Sequence, residues 1–227
     1  MSHFEHNHQL RDSITGRLSN FRNIKQSNHR LTKAAVVIGI TPLCNNKSAS
    51  IFLTQRSSKL RRHAGQYALP GGKVDADESI IDAALRELSE ELGLTLHQDS
   101  VLGLLDDMPT QSGFNITPVV VWIDSQDNLN PNPDEVAKVY QIPLAELESL
   151  DLNISRESAD VNLTSRESNS SDDKLSGYSE VMSLYLPSVG TTVYSPTAAI
   201  IYQFREVALL GNATRVAHFG QPTFAWR

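Results

Sequence analysis

The sequence predicts an α/β fold, and three observations carry that prediction. Short β-rich apolar runs recur along the chain, one central segment has apolar residues in steps of three and four, and a second helical segment follows the last strand signal. At 227 residues and 40% hydrophobic composition, the chain suits one large domain or a domain with appendages. A formal charge of −6 argues against non-specific adhesion to nucleic acid or an anionic membrane, both of which need clustered Lys and Arg. No apolar run approaches the ~20 residues needed to cross a bilayer, and "MSHFEHNHQLRDS" has no apolar signal-peptide centre. A cytoplasmic protein with no membrane partner is expected. Cys44 is the only cysteine, so no internal disulfide forms, and its surroundings hold no metal-ligating companions.

Taken in order, residues 1–32 read as an N-terminal helical extension to a domain spanning 33–227. Leu10, Ile14, Leu18 and Phe21 recur at near-helical spacing, which predicts an amphipathic helix laid on the core. "KAAVVIGIT" and "SIFLTQ" flank the turn-forming "PLCNNKSA" and predict a hairpin. From Ser79 to Leu92 the residues Ile81, Ala84, Leu85, Leu88 and Leu92 share one helical face. Further strand candidates are "VLGLLDD", "TPVVVWID", "EVAKVYQIP" and "VMSLYLP". Between them, residues 153–177 are rich in Ser, Asn and Asp without apolar period, which predicts a mobile surface insertion. "SRES" occurs there at Ser155 and again at Ser165, too short an echo to indicate repeats. "SPTAAIIYQFREVALLG" then reads as a helix with Ser195 as N-cap, Pro196 in the first turn, and Gly211 at its end; Ile200, Phe204, Val207 and Ala208 line its buried face.

The central helix carries an unusual charge pattern. Glu87, Glu90 and Glu91 stand at i, i+3 and i+4, where like charges repel by a few tenths of a kcal/mol per pair. Either Arg86 and water relieve this repulsion or a divalent cation does, since hard ions favour carboxylate oxygen. Spacing alone leaves both open. Immediately before the helix, "ALPGGKVDADES" lets the backbone turn sharply at Gly71 and Gly72 and approach a ligand without Cβ interference.

These residues resemble the Nudix signature: Gly, five residues, Glu, seven residues, Arg-Glu, an aliphatic, any residue, Glu-Glu, any residue, Gly, an aliphatic. Gly72, Glu78, Arg86, Glu87, Leu88, Glu90, Glu91, Gly93 and Leu94 fill every position. The resemblance implies a Nudix-type α/β/α sandwich with a mixed β-sheet, in which the loop and helix hold Mg²⁺ or Mn²⁺ over a diphosphate. It marks Glu87, Glu90 and Glu91 as metal ligands, Arg86 and Glu78 as a structural ion pair, and Gly93 as a left-handed helix C-cap.

A second resemblance runs through "FLTQRSSKLRRHAGQYALPGG", similar to the extended motif of the coenzyme A diphosphatase branch. Leu53, Thr54, Arg56, Ser57, Arg61, Gly65, Pro70, Gly71 and Gly72 match it; Phe52 and Leu69 depart from it but stay apolar. Independently of the family, Ile51 to Gly72 contains no acidic residue, and Arg56, Arg61 and Arg62, with Lys59 and His63, could grip phosphates. His63 by itself reads as a hydrogen-bonding loop residue. The resemblance extends through "NPDEVAKVYQIPLAEL" and "RVAHFGQPTFAWR". In the former, Glu135 is either a further acid near the metals or a plain edge charge. Phe219, Phe224 and Trp226 of the latter read as packing.

The implied activity is hydrolysis of coenzyme A, and of acyl forms, to 4′-phosphopantetheine and adenosine 3′,5′-bisphosphate. Glu87, Glu135 or a metal-held hydroxide would act as base, with Glu91 essential to the ions. The rivals are another nucleoside diphosphate derivative such as ADP-ribose, and a Nudix-like protein that binds nucleotide without cutting it. A small molecule is the expected partner, and a homodimer stays open.

Overall fold

The structure is a computed structural model and describes residues 4–44, 47–60, 63–158 and 178–222. Helix α1 (His8–Asn20) is followed by strands β1 (Thr32–Pro42), β2 (Ala49–Arg56), β3 (Tyr67–Ala68) and β4 (Gly71–Lys73), and by helix α2 (Ile80–Leu92). Next come β5 (Val101–Leu104), β6 (Met108–Pro109), β7 (Phe114–Trp122), β8 (Val136–Pro143) and the short helix α3 (Leu144–Glu148). The chain then forms β9 (Leu152–Ser158), β10 (Tyr178–Leu186), β11 (Thr191–Tyr194) and α4 (Thr197–Phe204), which continues as a π-helical stretch, Arg205–Leu210.

Among the described residues, eight strands make one mixed sheet with the path β3-β2-β1-β7-β5, onto which β4, β6 and β8 pair at β1, β7 and β2. The single parallel pairing in it, β1 with β7, runs through the middle, from Thr32 opposite Phe114 to Ile40 opposite Trp122. Alternation along these strands divides the core. Ala35, Val37, Val119 and Val121 point to one face and pack with Ala84, Leu88 and Leu92 of α2. Ile38, Ile40 and Val120 point to the other, where Ile14 and Leu18 of α1, Phe204 of α4, and Met182 and Leu184 of β10 cover them. Burying each such side chain stabilises the fold by about 1.5–3 kcal/mol relative to exposure, so both helical layers are held chiefly by apolar area. The result is the expected α/β/α sandwich with a mixed sheet. No helix among the described residues is long and apolar enough to cross a membrane.

Two local expectations are corrected. The Ser-rich segment begins as a strand: residues 152–158 form β9, antiparallel to β10 with Leu152 opposite Leu184 and Ile154 opposite Met182. Its period-two pattern spans only these two apolar residues, which the polar composition around them conceals; 159–177 lie outside the described residues. Ser195, read as a helix cap, instead turns into the second sheet, β11-β10-β9, donating to the Met182 carbonyl and accepting from the Met182 N–H, each at 3.2 Å. Pro196 takes the N-cap position of α4. Ile200, Phe204, Val207 and Ala208 are buried as the spacing predicts, and Gly211 ends the helical run at φ 78°.

The adjacent acids Asp106 and Asp107 tie the N-terminal and C-terminal segments to the sheet. Both are buried. The Asp107 carboxylate accepts from the Gln26 N–H (2.8 Å), Thr117 Oγ1 (2.6 Å) and Asn115 Nδ2 (3.0 Å). Asp106 accepts from the Ile24 N–H (2.6 Å), Gln203 Nε2 (2.8 Å) and Arg215 (2.5 Å). Removing the Asp107 carboxylate strands the buried Thr117 and Asn115 side-chain donors, and removing that of Asp106 strands the buried Gln203 amide. Asp107→Ala is therefore expected to destabilise the protein by about 2–4 kcal/mol, read as a fall in the urea midpoint at unchanged m-value.

Candidate active site

The site begins with two glycines that allow the backbone to pack where no side chain fits. Strand β4 pairs antiparallel to β1, with Gly71 opposite Val36 and Gly72 opposite Ala35. Gly71 has φ 151°, and a Cβ there would collide with the Ala35 carbonyl. At Gly72 an added Cβ would collide with the Glu87 carboxylate. The pair thus seats the turn directly on the sheet and directly under α2.

Ser79 caps α2 by accepting from the Asp82 N–H at 3.1 Å. At the other end Gly93 is left-handed, φ 72°, and its N–H reaches the Ser89 carbonyl. Asn130 packs against Gly93 so closely that a Cβ there would crowd it. The Asn130 and Asn132 N–H groups meet the last helical carbonyls, Leu92 and Glu91, each at 2.9 Å. Those two bonds dock the 130–135 loop on the helix end and bring Glu135 into the same region as the helix acids.

Arg86 is the hub of the acidic face. Its Nε and Nη2 clasp both Glu78 oxygens at 2.9 and 3.0 Å, and Nη2 also reaches the Lys73 carbonyl at 3.0 Å. Nη1 reaches Glu87 at 2.9 Å and Glu90 at 3.1 Å. The fork geometry of guanidinium is what allows one side chain to fasten loop, strand and helix together. It holds Glu78 below the usual carboxylate range, while Arg86 itself is raised, chiefly by Glu78.

Glu91 is different. Its side chain is 5% exposed, and its partners are the Gly71 N–H at 3.3 Å and an Arg56 guanidinium at 3.9 Å. Burial pushes it up to about 8; Arg56 and Gly71 oppose the shift, whereas Glu87 and Glu135 add to it by like-charge repulsion. Glu87 is also raised, by burial first, with Glu90 and Glu135 adding and Arg86 opposing. Glu87, Glu91 and Glu135 therefore share one electrostatic environment, with Glu90 on its rim, 54% exposed and paired to Arg86.

Among the described residues, no three His, Cys, Asp or Glu side chains stand as a ready-made ligand cage. The donor chemistry nonetheless fits a divalent cation: carboxylate oxygens, with Glu91 buried and Glu87 half-buried, carrying more negative charge than their protein partners neutralise. A cation would compete with Arg86 for Glu87 and Glu90.

Of the basic residues, Arg56 lies beside Glu91 and lines the adjoining cleft, and its buried Nε has no hydrogen-bond partner. Lys59 is drawn to Asp134 in an exposed pair at 2.8 Å. His63 lines the cleft and its carbonyl accepts from the Gln66 N–H, a loop role as expected. Arg61, Arg62, Phe224 and Trp226 lie outside the described residues. Phe219 is buried, with its ring tilted against that of His218, which is packing. The cleft, ≈ 400 Å³, also takes Tyr67, Phe114 and Tyr194, residues the sequence does not single out because they come from three distant segments.

For the metal-free protein this geometry fixes the sign of a pH effect. With Glu91 near 8 when folded and 4.5 when free, the unfolded chain loses its proton first. Stability conferred by the protonated carboxyl is complete below 4.5 and is lost as pH rises towards about 8. The melting temperature should fall across that window, and Glu91→Gln should flatten the fall.

The comparisons with known proteins agree with the motif. A sequence profile described as "NUDIX domain" matches residues 33–161. "Uncharacterized Nudix hydrolase NudL" of Pectobacterium atrosepticum is 44% identical over 119 residues, covering 52% of this chain and 60% of that protein. Its namesake in Klebsiella pneumoniae is 40% identical over 121 residues, 53% of this chain and 62% of that protein. The match thus spans about three fifths of the length of these curated relatives. A solved structure described as a MutT/nudix family protein from Enterococcus faecalis covers 80% of this chain and 64% of its own, at 16% identity and a TM-score of 0.46. Since the profile takes in more than half of the chain, including the glycine turn, α2 and Glu135, the chain belongs to the Nudix family.

Proposed function

We propose that the chain is a cytoplasmic, metal-dependent hydrolase of the diphosphate bond in coenzyme A and its acyl forms, yielding 4′-phosphopantetheine and adenosine 3′,5′-bisphosphate. The observation that carries the reading is Glu91, buried against the Gly71 amide with its charge under-neutralised, beside a cleft whose lining includes both Gly71 and Arg56. Coenzyme A is favoured over other diphosphates by the run from Leu53 to Gly72, which is similar to the coenzyme A diphosphatase motif and lacks acidic residues.

Nudix hydrolases generally use divalent ions such as Mg²⁺ or Mn²⁺, and here Glu87 and Glu91, with Glu90 from the rim, would hold them. Such ions would neutralise charge on the diphosphate and acidify the attacking water. The chain's own groups do the positioning. Gly71 and Gly72 let the turn pack against β1 and Glu87, which brings its backbone up to the acids where the diphosphate would lie. Arg56 supplies planar, charge-assisted donors to its oxygens. Arg61 and Arg62 are further candidates from the sequence for gripping the 3′-phosphate. Glu87 and Glu135 are the candidate bases, and burial raises Glu87 above the ordinary carboxylate value, the direction that favours proton uptake. Arg86 and Glu78 keep helix and loop in register.

Two experiments test this. Incubation with a panel of coenzyme A, acyl-coenzyme A, ADP-ribose and dinucleoside polyphosphates, read by mass spectrometry, should give bisphosphate and phosphopantetheine as the dominant products. Predominant cleavage of ADP-ribose would overturn the substrate, and saturable binding without product would overturn catalysis. Glu91→Gln, isosteric but uncharged, should lower kcat/KM with Mg²⁺ by at least about a hundredfold. Unchanged turnover would remove Glu91 from the metal set.

A further inference from the structure

The cleft beside Gly71 has two unlike walls. One consists of segments around the site, with Arg56, His63 and Lys73 among its lining. The other is built by β11 and the start of α4, and Val193, Tyr194, Pro196 and Ile200 carry no charge. Its floor is the face of β1 and β7 opposite α2, at Val36 and Ile116. No acidic residue lines it among the described residues.

A substrate whose diphosphate lies at Gly71 and Gly72 extends in two directions. The nucleoside half of coenzyme A carries a 3′-phosphate, and the β11–α4 wall offers it no cation, so desolvating that charge there is costly; Arg56, His63 and Lys73 all lie on the opposite side, with the glycine turn where the diphosphate is placed. The pantetheine half is neutral, a flexible chain of methylenes broken by amides. Gln66, Thr192, Thr197 and Gln221 set amides and hydroxyls among the apolar residues of the lining, which suits such a chain. At ≈ 400 Å³ the cleft is within the roughly 300–1,000 Å³ typical of small-molecule sites.

We infer that the cleft between the glycine turn and β11 binds the pantetheine arm, with any acyl group on its thiol, and leaves the bisphosphorylated nucleoside outside. The inference rests on the coenzyme A reading above and names Tyr194 and Thr192 as its specificity residues. Both belong to the second sheet, so the sheet β9-β10-β11 supplies one wall of the substrate site.

The test separates the arm from the nucleotide. Calorimetric titration of the full chain with Mg²⁺ uses S-octanoyl-pantetheine and, separately, adenosine 3′,5′-bisphosphate, on wild type, Tyr194→Ala and Thr192→Trp, each checked for folding by circular dichroism. Wild type should bind both. Thr192→Trp, which fills the cleft, and Tyr194→Ala, which removes its aromatic wall, should each weaken the acyl-pantetheine by about tenfold or more. Neither should move the bisphosphate by more than about twofold, because the proposal leaves it outside the cleft that both substitutions alter. Unchanged acyl-pantetheine affinity in the folded variants, no binding of it by wild type, or selective loss of the bisphosphate would each overturn the assignment. The predicted binding pattern in a wild type that leaves coenzyme A uncut supports the cleft and sinks the proposed activity. Cleavage of coenzyme A with arm binding insensitive to both variants does the reverse.

Discussion

A carboxylate buried where little neutralises it is the constraint around which this molecule is arranged. Glu91 sits on the inner side of α2 among residues that are otherwise apolar, and its neighbours Ala84, Leu88 and Leu92 are packed against the sheet. Burying a lone charge costs several kcal/mol, so such a residue persists only where something offsets the cost. Within the protein the offset is partial: one amide, one guanidinium at 3.9 Å, and a strong tendency to keep the proton. A cation in the same place would reverse that tendency, which is why the unbalanced charge points to chemistry more than to stability.

Arg86 solves the complementary problem. Three glutamates on neighbouring turns and loops would splay apart without it, and its five donors spread over Glu78, Glu87, Glu90 and the Lys73 carbonyl keep the loop closed on the helix. A lysine could not serve, since a point charge on a flexible stem lacks the planar fork. Arg86 would also set a threshold for any ion that took Glu87 and Glu90, because that ion would have to displace bonds the protein already makes.

The second sheet changes the meaning of the C-terminal third of the chain. It completes the core through Met182 and Leu184, and it also walls the cleft through β11. Buried Asp106 and Asp107 fasten the N-terminal segment and Arg215 to the main sheet. Neither terminal part is an ornament on the central fold.

The main sheet's longer strands, α2, its cap at Ser79 and its left-handed end at Gly93 were legible in the sequence because each depends on local periodicity or on the steric freedom of one residue. The identity of the acids was legible too, since like charges at i, i+3 and i+4 leave a mark that spacing preserves. What spacing could not reveal is which of them is buried: Glu90 and Glu91 are adjacent, yet one is exposed and the other covered by Gly71 and Arg56. The role of Ser195 and the strand at 152–158 were hidden for a related reason, as each depends on pairing with β10, while Glu135 stood out in the sequence but with two readings open. Local sequence determined the elements and the chemistry available to them. Burial, and with it the charge imbalance that defines the site, was decided only when β4, α2 and the 130–135 loop closed on one another, because desolvation is a property of the assembled surroundings and not of any one segment.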